Sequence, residues 1–262
     1  MPPTLAEVRR VQREPNPMKT ISIIFPAFNE EANIRHTVES ARRILPSLAE
    51  IWEIIVVNDG SRDQTGKILN DLTLEYPEVR VLHHPINKGY GAALKSGILT
   101  AKHDLIFFSD SDGQFDLNEL SRLLAWVDEY DIVAGYRTHR RDPFYRLVNA
   151  WGWKMLAGFL LGVRVRDIDC AFKLFRRPVF ERIQMRSVGA MVNTEILAQA
   201  MRLKMRIKEV GVTHFPRRHG QPTGANLRVI LKAFRELMKL WWKLRNVPEG
   251  FKNDLDEISK LG

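Results

Sequence analysis

Asp110-Ser111-Asp112-Gly113-Gln114 is the stretch of this chain best equipped for chemistry. The apolar run Leu105-Ile106-Phe107-Phe108 stops abruptly at two carboxylates spaced i, i+2, followed by a glycine, a carboxamide and a third carboxylate, Asp116. Hard divalent cations are commonly held by one or two carboxylates plus the phosphate oxygens of a substrate. Asp110 and Asp112 can supply such a partial cage, with Gln114 adding a neutral oxygen. The same residue types also build ordinary Asx turns, so this stretch alone fits a metal site or a plain loop.

The elements that would carry it read as strands alternating with helices. Ile21–Phe25 ends at Pro26-Ala27-Phe28-Asn29-Glu30-Glu31, and a helical pattern follows to about Leu45. Ile54–Val57 ends at Asn58-Asp59-Gly60-Ser61, with a helix from Asp63 to Glu75. Val79–Leu82, Leu105–Ser109 and Ile132–Gly135 read as further strands, and Lys88-Gly89-Tyr90 opens a third helix. Asp116 is placed to cap a helix over Leu117–Val127. Repeated βα units imply an α/β fold with a mostly parallel sheet, whose ligand crevice lies beyond the carboxyl ends of the strands. Asp59, Lys88, Asp110 and Asp112 would share that edge.

The whole chain, 262 residues with a formal net charge of +9, suits one large α/β domain and an anionic partner: nucleic acid, a membrane surface or a phosphorylated substrate. Its single cysteine, Cys170, excludes an internal disulfide framework and a cysteine-based zinc site, as in a reducing compartment. Met1–Met18 lacks the apolar core of a signal peptide, and no stretch approaches the roughly 18 apolar residues of a membrane span. Nucleic-acid binding is a remote alternative, because the basic residues concentrate on one helix and no recognition motif accompanies them.

Phe25–Glu31, Val56–Ser61, Asn87-Lys88-Gly89, Asp110–Gln114, Ala134–Arg137, Asp169–Arg177 and Phe215–Gly220, in that order, resemble the motifs of family-2 glycosyltransferases, in the polyprenyl-phosphate branch typified by dolichol-phosphate mannose synthase. The resemblance covers about residues 20–245. It implies a Rossmann-like nucleotide-sugar-binding domain of GT-A type and inverting, metal-dependent transfer of a hexose, mannose or glucose, from a GDP- or UDP-sugar to a polyprenyl phosphate. It implies that Pro26, Phe28, Glu30, Asp59 and Lys88 border the nucleotide, with Asp59 bonding the base. Asp110, Asp112 and Gln114 would hold Mg2+ or Mn2+. Asp112, Arg137 and Arg217 would serve catalysis, Arg137 reaching the donor and Arg217 the phosphates, and Arg146 would join Arg217 on the acceptor phosphate. A phosphate monoester is already largely dianionic near neutral pH, so no protein base is assigned; Asp116 or Asp169 would be available to the alternative, a soluble family-2 enzyme with a hydroxyl acceptor. The chain departs from some relatives at Gly220–Gly224, which lacks a lysine, and at Ala150, where they carry serine.

Arg228–Arg245 has helical periodicity. Ile230, Phe234, Leu237, Trp241 and Leu244 fall on one face, while Arg228, Lys232, Arg235, Lys239 and Lys243 fall on the other. A basic amphipathic helix rich in aromatics is expected to lie on a membrane surface, and Phe144–Leu161 reads as a second surface-lying segment. The expected organisation is a flexible tail over 1–19, a catalytic domain over 20–225, the membrane-surface helix over 226–245 and a loose tail over 246–262. The protein would sit peripherally on the cytoplasmic face, with no transmembrane helix.

Overall fold

The computed structural model describes residues 19–138, 152, 155–216 and 234–242. Seven strands among them form one sheet of order β3-β2-β1-β4-β6-β5-β7. β1 (Thr20–Ala27) pairs in parallel with β2 (Ile51–Asn58) and β4 (Leu105–Ser109), and β2 with β3 (Val79–His83). β5 (Ile132–Arg137) and β7 (Ile207–Val212) are parallel to each other. Between β4 and β5, β6 (Phe172–Arg176) runs antiparallel to both. This is the mostly parallel α/β sheet the sequence implies.

Strands covered on both faces must be apolar nearly throughout, which is why they read as continuous hydrophobic runs. One face of the sheet, with Ile23, Phe25, Val56 and Phe107, packs on α1 (Ile34–Ile44), α2 (Thr65–Glu75) and α4 (Leu120–Leu124). The other, with Ile24, Ile55, Val57 and Phe108, packs on α3 (Tyr90–Thr100), α6 (Pro178–Arg182) and α7 (Val192–Arg202). A third cluster joins the outer side of α7, through Leu197 and Ala198, to α5 (155–161) and α8 (234–242). Opposite the crevice edge, a polar stitch crosses three strands. The Ser22 hydroxyl donates to Glu53 Oε1 at 2.7 Å and Arg80 Nη1 to Oε2 at 2.7 Å, while the Lys102 N–H donates to Oε1 at 2.8 Å.

Two expectations change. The helix expected over Leu117–Val127 is a 3₁₀ turn, Leu117–Glu119, followed by the short α4. Trp126 N–H and Val127 N–H then bond three residues back, to Leu123 O and Leu124 O, which tightens the ladder and ends the helix. Asp116 does cap this segment, its Oδ1 accepting the Asn118 N–H at 3.0 Å. β6 and β7, which the sequence reading left without strands, complete the sheet.

Candidate active site

The carboxyl ends of β1, β2 and β4 form the crevice edge, and their loops are bonded to one another. Asp59 N–H donates to Ala27 O at 2.8 Å, Asn29 N–H to Ser61 Oγ at 3.0 Å, and Arg62 N–H to Asn29 Oδ1 at 2.8 Å. Glu30 N–H donates to Thr65 Oγ1, and the Glu30 carboxylate accepts the Asn33 amide. Pro26 is buried, whereas the Phe28 ring is 43% exposed at the rim. Asp59 is buried and accepts bonds from His84 Nδ1 and from the Lys88 and Gly89 N–H groups. Lys88 therefore meets the site through its backbone, while its side chain is exposed. Gly60, at φ +70°, lies where an added Cβ would sit 2.4 Å from the Ile86 carbonyl carbon, so the turn after β2 packs directly on this loop.

Asp110 and Asp112 follow β4 on the same edge, and Ser111 between them points inward. Its hydroxyl donates to Pro26 O at 2.8 Å and its carbonyl accepts the Thr37 hydroxyl, which locks the end of β4 to β1 and α1. Burial first, and then the charge of Asp112, push the Asp110 carboxyl up to about 7; Tyr90, Lys173 and Arg137 act in the opposite direction. Two carboxylates that repel each other in a partly buried position suit a hard divalent cation. Among the described residues no group of three His, Cys, Asp or Glu converges, so a cation held here would complete its shell with phosphate oxygens and water. The turn reading also holds, since Gln114 N–H donates to Asp112 Oδ1 at 3.1 Å. Gln114 itself is a tether. Its side-chain Nε2 donates to Phe215 O, its backbone carbonyl accepts the Phe215 N–H, and Phe115 bridges to His214, so the segment after β7 is drawn to the acidic loop.

Arg137, at the end of β5, is gripped by Asp167: Nε lies 2.6 Å from Oδ2 and Nη2 2.8 Å from Oδ1. Nη1 is the remaining arm of the fork. Behind it Lys173, wholly buried in β6, donates to Ile168 O, Cys170 O and Asn193 Oδ1, which anchors the 167–170 segment. Burial lowers the Lys173 pKa and pushes the Cys170 thiol up to about 12. His84, Ser111, Asp167 and Lys173 were not singled out from sequence; their partners lie far along the chain or on loops whose positions only the fold sets. Arg146 and Arg217 lie outside the described residues.

Beyond this edge, α5 exposes Met155 and Phe159, the latter 87% exposed. They border an open groove of about 500 Å³ lined also by Gly158, Val163 and Val165, with Arg164 and Arg166 on its wall. In α8, Leu237 and Leu240 are buried against the third cluster, so the centre of the expected membrane-facing stripe packs on protein. The outward arc carries Arg235, Lys239 and Trp242, the last 66% exposed. No helix among the described residues is long and apolar enough to cross a membrane.

Residues 22–184 match the profile described as "Glycosyl transferase family 2". Among curated proteins the chain is similar to "Dolichyl-phosphate beta-glucosyltransferase ALG5A" of Trichomonas vaginalis, 29% identical over 86% of this chain and 76% of that one. "Dodecaprenyl-phosphate galacturonate synthase" of Rhizobium johnstonii is 29% identical over 92% of this chain and 73% of its own length. "Undecaprenyl-phosphate 4-deoxy-4-formamido-L-arabinose transferase" of Salmonella choleraesuis is 27% identical over 82% and 65%. None of these three names carries mannose. The fold resembles that of glucosyl-3-phosphoglycerate synthase from Mycobacterium tuberculosis, solved with Mn2+ and UDP-glucose, at a TM-score of 0.67 and 19% identity over 95% of this chain and 86% of that one. With its GT-A-type sheet and a family match across more than half its length, this chain is a glycosyltransferase and belongs to glycosyl transferase family 2.

Proposed function

We propose that the enzyme transfers a glycosyl unit, with inversion, from a nucleotide-sugar to a polyprenyl phosphate at a membrane surface. The observation that carries this reading is the run from the acidic edge at Asp110 and Asp112, through Arg137 and Asp167, to the exposed apolar face of Met155 and Phe159. An anionic donor fits the first and an amphiphilic acceptor the last. The named relatives, which act on polyprenyl phosphates, support the same assignment, and glucose is the sugar we favour over mannose.

Asp110 and Asp112 would hold a divalent cation, which when bound offsets the charge that grows on the departing nucleotide diphosphate. The protein's own part is alignment. Phe28 and Asp59 receive the base, the Arg137 Nη1 arm reaches the donor, and Arg146 and Arg217 take the acceptor phosphate. The dianionic acceptor oxygen attacks the anomeric carbon while the nucleotide leaves from the opposite face, so no side chain need remove a proton. Residues 20–225 form the catalytic unit, 226–245 the membrane-surface segment, and the outward arc of α8, with α5, meets the bilayer on its cytoplasmic side. The test is to offer a polyprenyl phosphate, the matching polyprenol and small alcohols to the enzyme with UDP-glucose. Product with the phosphate alone supports the reading; product with the alcohols alone replaces it with a hydroxyl-acceptor transferase.

A further inference from the structure

We infer that the donor is a uridine rather than a guanosine diphosphate sugar, because Asp59 has one acceptor position left for a base. This rests on the donor reading above. A carboxylate offers about four lone-pair positions, two on each oxygen. Asp59 Oδ1 fills both of its own, with His84 Nδ1–H at 2.7 Å and Lys88 N–H at 2.9 Å. Oδ2 accepts Gly89 N–H at 2.8 Å and keeps one position. A carboxylate has no proton to give, so Nδ1 is the donor of the histidine pair. The ring is held at its far side by Ser96, whose Oγ lies 2.9 Å from Nε2.

Guanine presents N1–H and N2–H side by side, and a carboxylate meets that edge by giving one oxygen to each. Uracil presents a single N3–H between two carbonyl groups. One free position on Oδ2 satisfies uracil and leaves one guanine donor without a partner. The site cannot adapt cheaply. Freeing Oδ1 means breaking the His84 or Lys88 bond, and the turn at Gly60 is packed on Ile86 and Asn87, where even a Cβ would approach within 2.4 Å. Asp59 N–H is bonded to Ala27 O, so Phe28 follows directly on the residue that pairs with Asp59, and its exposed ring offers a face on which a base can stack.

The experiment is calorimetric titration of the full chain with UDP and with GDP, each in the presence of Mn2+. Wild type should bind UDP about ten- to a hundredfold more tightly. His84→Ala empties one Oδ1 position, and the ratio should then fall to about threefold or less through a gain in GDP affinity. GDP binding as tightly as UDP to wild type overturns the inference. So does a UDP preference that is unchanged in folded His84→Ala, which would show that the acceptor count does not set the choice. If folded wild type binds neither nucleotide, the donor reading fails and takes this inference with it; a GDP preference leaves the donor reading intact.

Discussion

Arg137 and Asp167 close on each other with two parallel contacts, Nε to Oδ2 and Nη2 to Oδ1, although thirty residues separate them. The side chains are only 15% and 8% exposed, so neither charge can turn to water when the other is lost. The pair fastens the 167–170 segment to the end of β5.

Breaking one partner should therefore cost more than removing both. Asp167→Leu is expected to lose about 3 kcal/mol of stability, because it strands a largely buried guanidinium. The double variant Arg137→Met/Asp167→Leu should lose clearly less. Urea unfolding of the two single variants and the double variant, read as a cycle, measures the difference.

Glu53 gives a pH signature. Burial acts to raise its pKa, but the Ser22 hydroxyl, the Arg80 guanidinium and the Lys102 N–H outweigh it and hold the carboxyl below its ordinary value. A depressed folded pKa contributes stability above the unfolded value, roughly 4.3, and loses it as pH falls through the folded one. Glu53→Gln should be less stable than wild type by about 1 to 2 kcal/mol at pH 7. The gap should begin to shrink as pH falls below the unfolded value and close only once pH has passed the lower folded pKa, where the wild-type carboxyl is neutral as well. Thermal or urea unfolding from pH 3 to pH 7 checks the sign.

The Cys170 thiol, raised by burial to about 12, should be inert in the folded enzyme. At pH 8 its reaction with a disulfide reagent is expected to be more than about a hundredfold slower than in urea-unfolded protein. A fast native reaction would mean that the β6 region opens readily.

Under the proposed membrane reading, the exposed aromatics should matter more than the buried stripe of α8. Phe159→Ser with Trp242→Ser should weaken sedimentation with anionic vesicles about tenfold and leave the unfolding midpoint nearly unchanged. Leu237→Ala should do the reverse, destabilising the protein by about 2 to 5 kcal/mol through a cavity in the third cluster.

β1 to β5 were legible because each is a short apolar run ending in polar residues, which is what burial on both faces followed by a crevice demands. β6 was hidden by its lysine. Phe-Lys-Leu-Phe-Arg does not read as a buried strand until Nζ is given three oxygens, two of them from a loop whose place only the fold decides. β7, Ile-Lys-Glu-Val-Gly-Val, lies at the sheet margin with its first half only partly buried, and Lys208 and Glu209 there break the apolar run. Asp110, Asp112 and Asp59 were legible from residue type and strand-end position. His84 and Asp167 were not, because each acts through a partner 25 or 30 residues away, and no local spacing marks such a pair. The amphipathic pattern of α8 was read correctly as a pattern, yet periodicity alone does not say whether an apolar face meets lipid or protein. At Leu237 and Leu240 it meets protein.

The most direct test of the account is transfer of radiolabelled sugar from UDP-glucose, with GDP-mannose and UDP-N-acetylglucosamine alongside, to a short-chain polyprenyl phosphate, with and without EDTA, in wild type and Asp112→Ala. A lipid-linked product that depends on added Mg2+ or Mn2+ and falls at least about a hundredfold in the variant is the expected result. A folded enzyme that binds its donor yet forms no lipid product with any of these sugars, or forms it equally well in EDTA, would contradict the account.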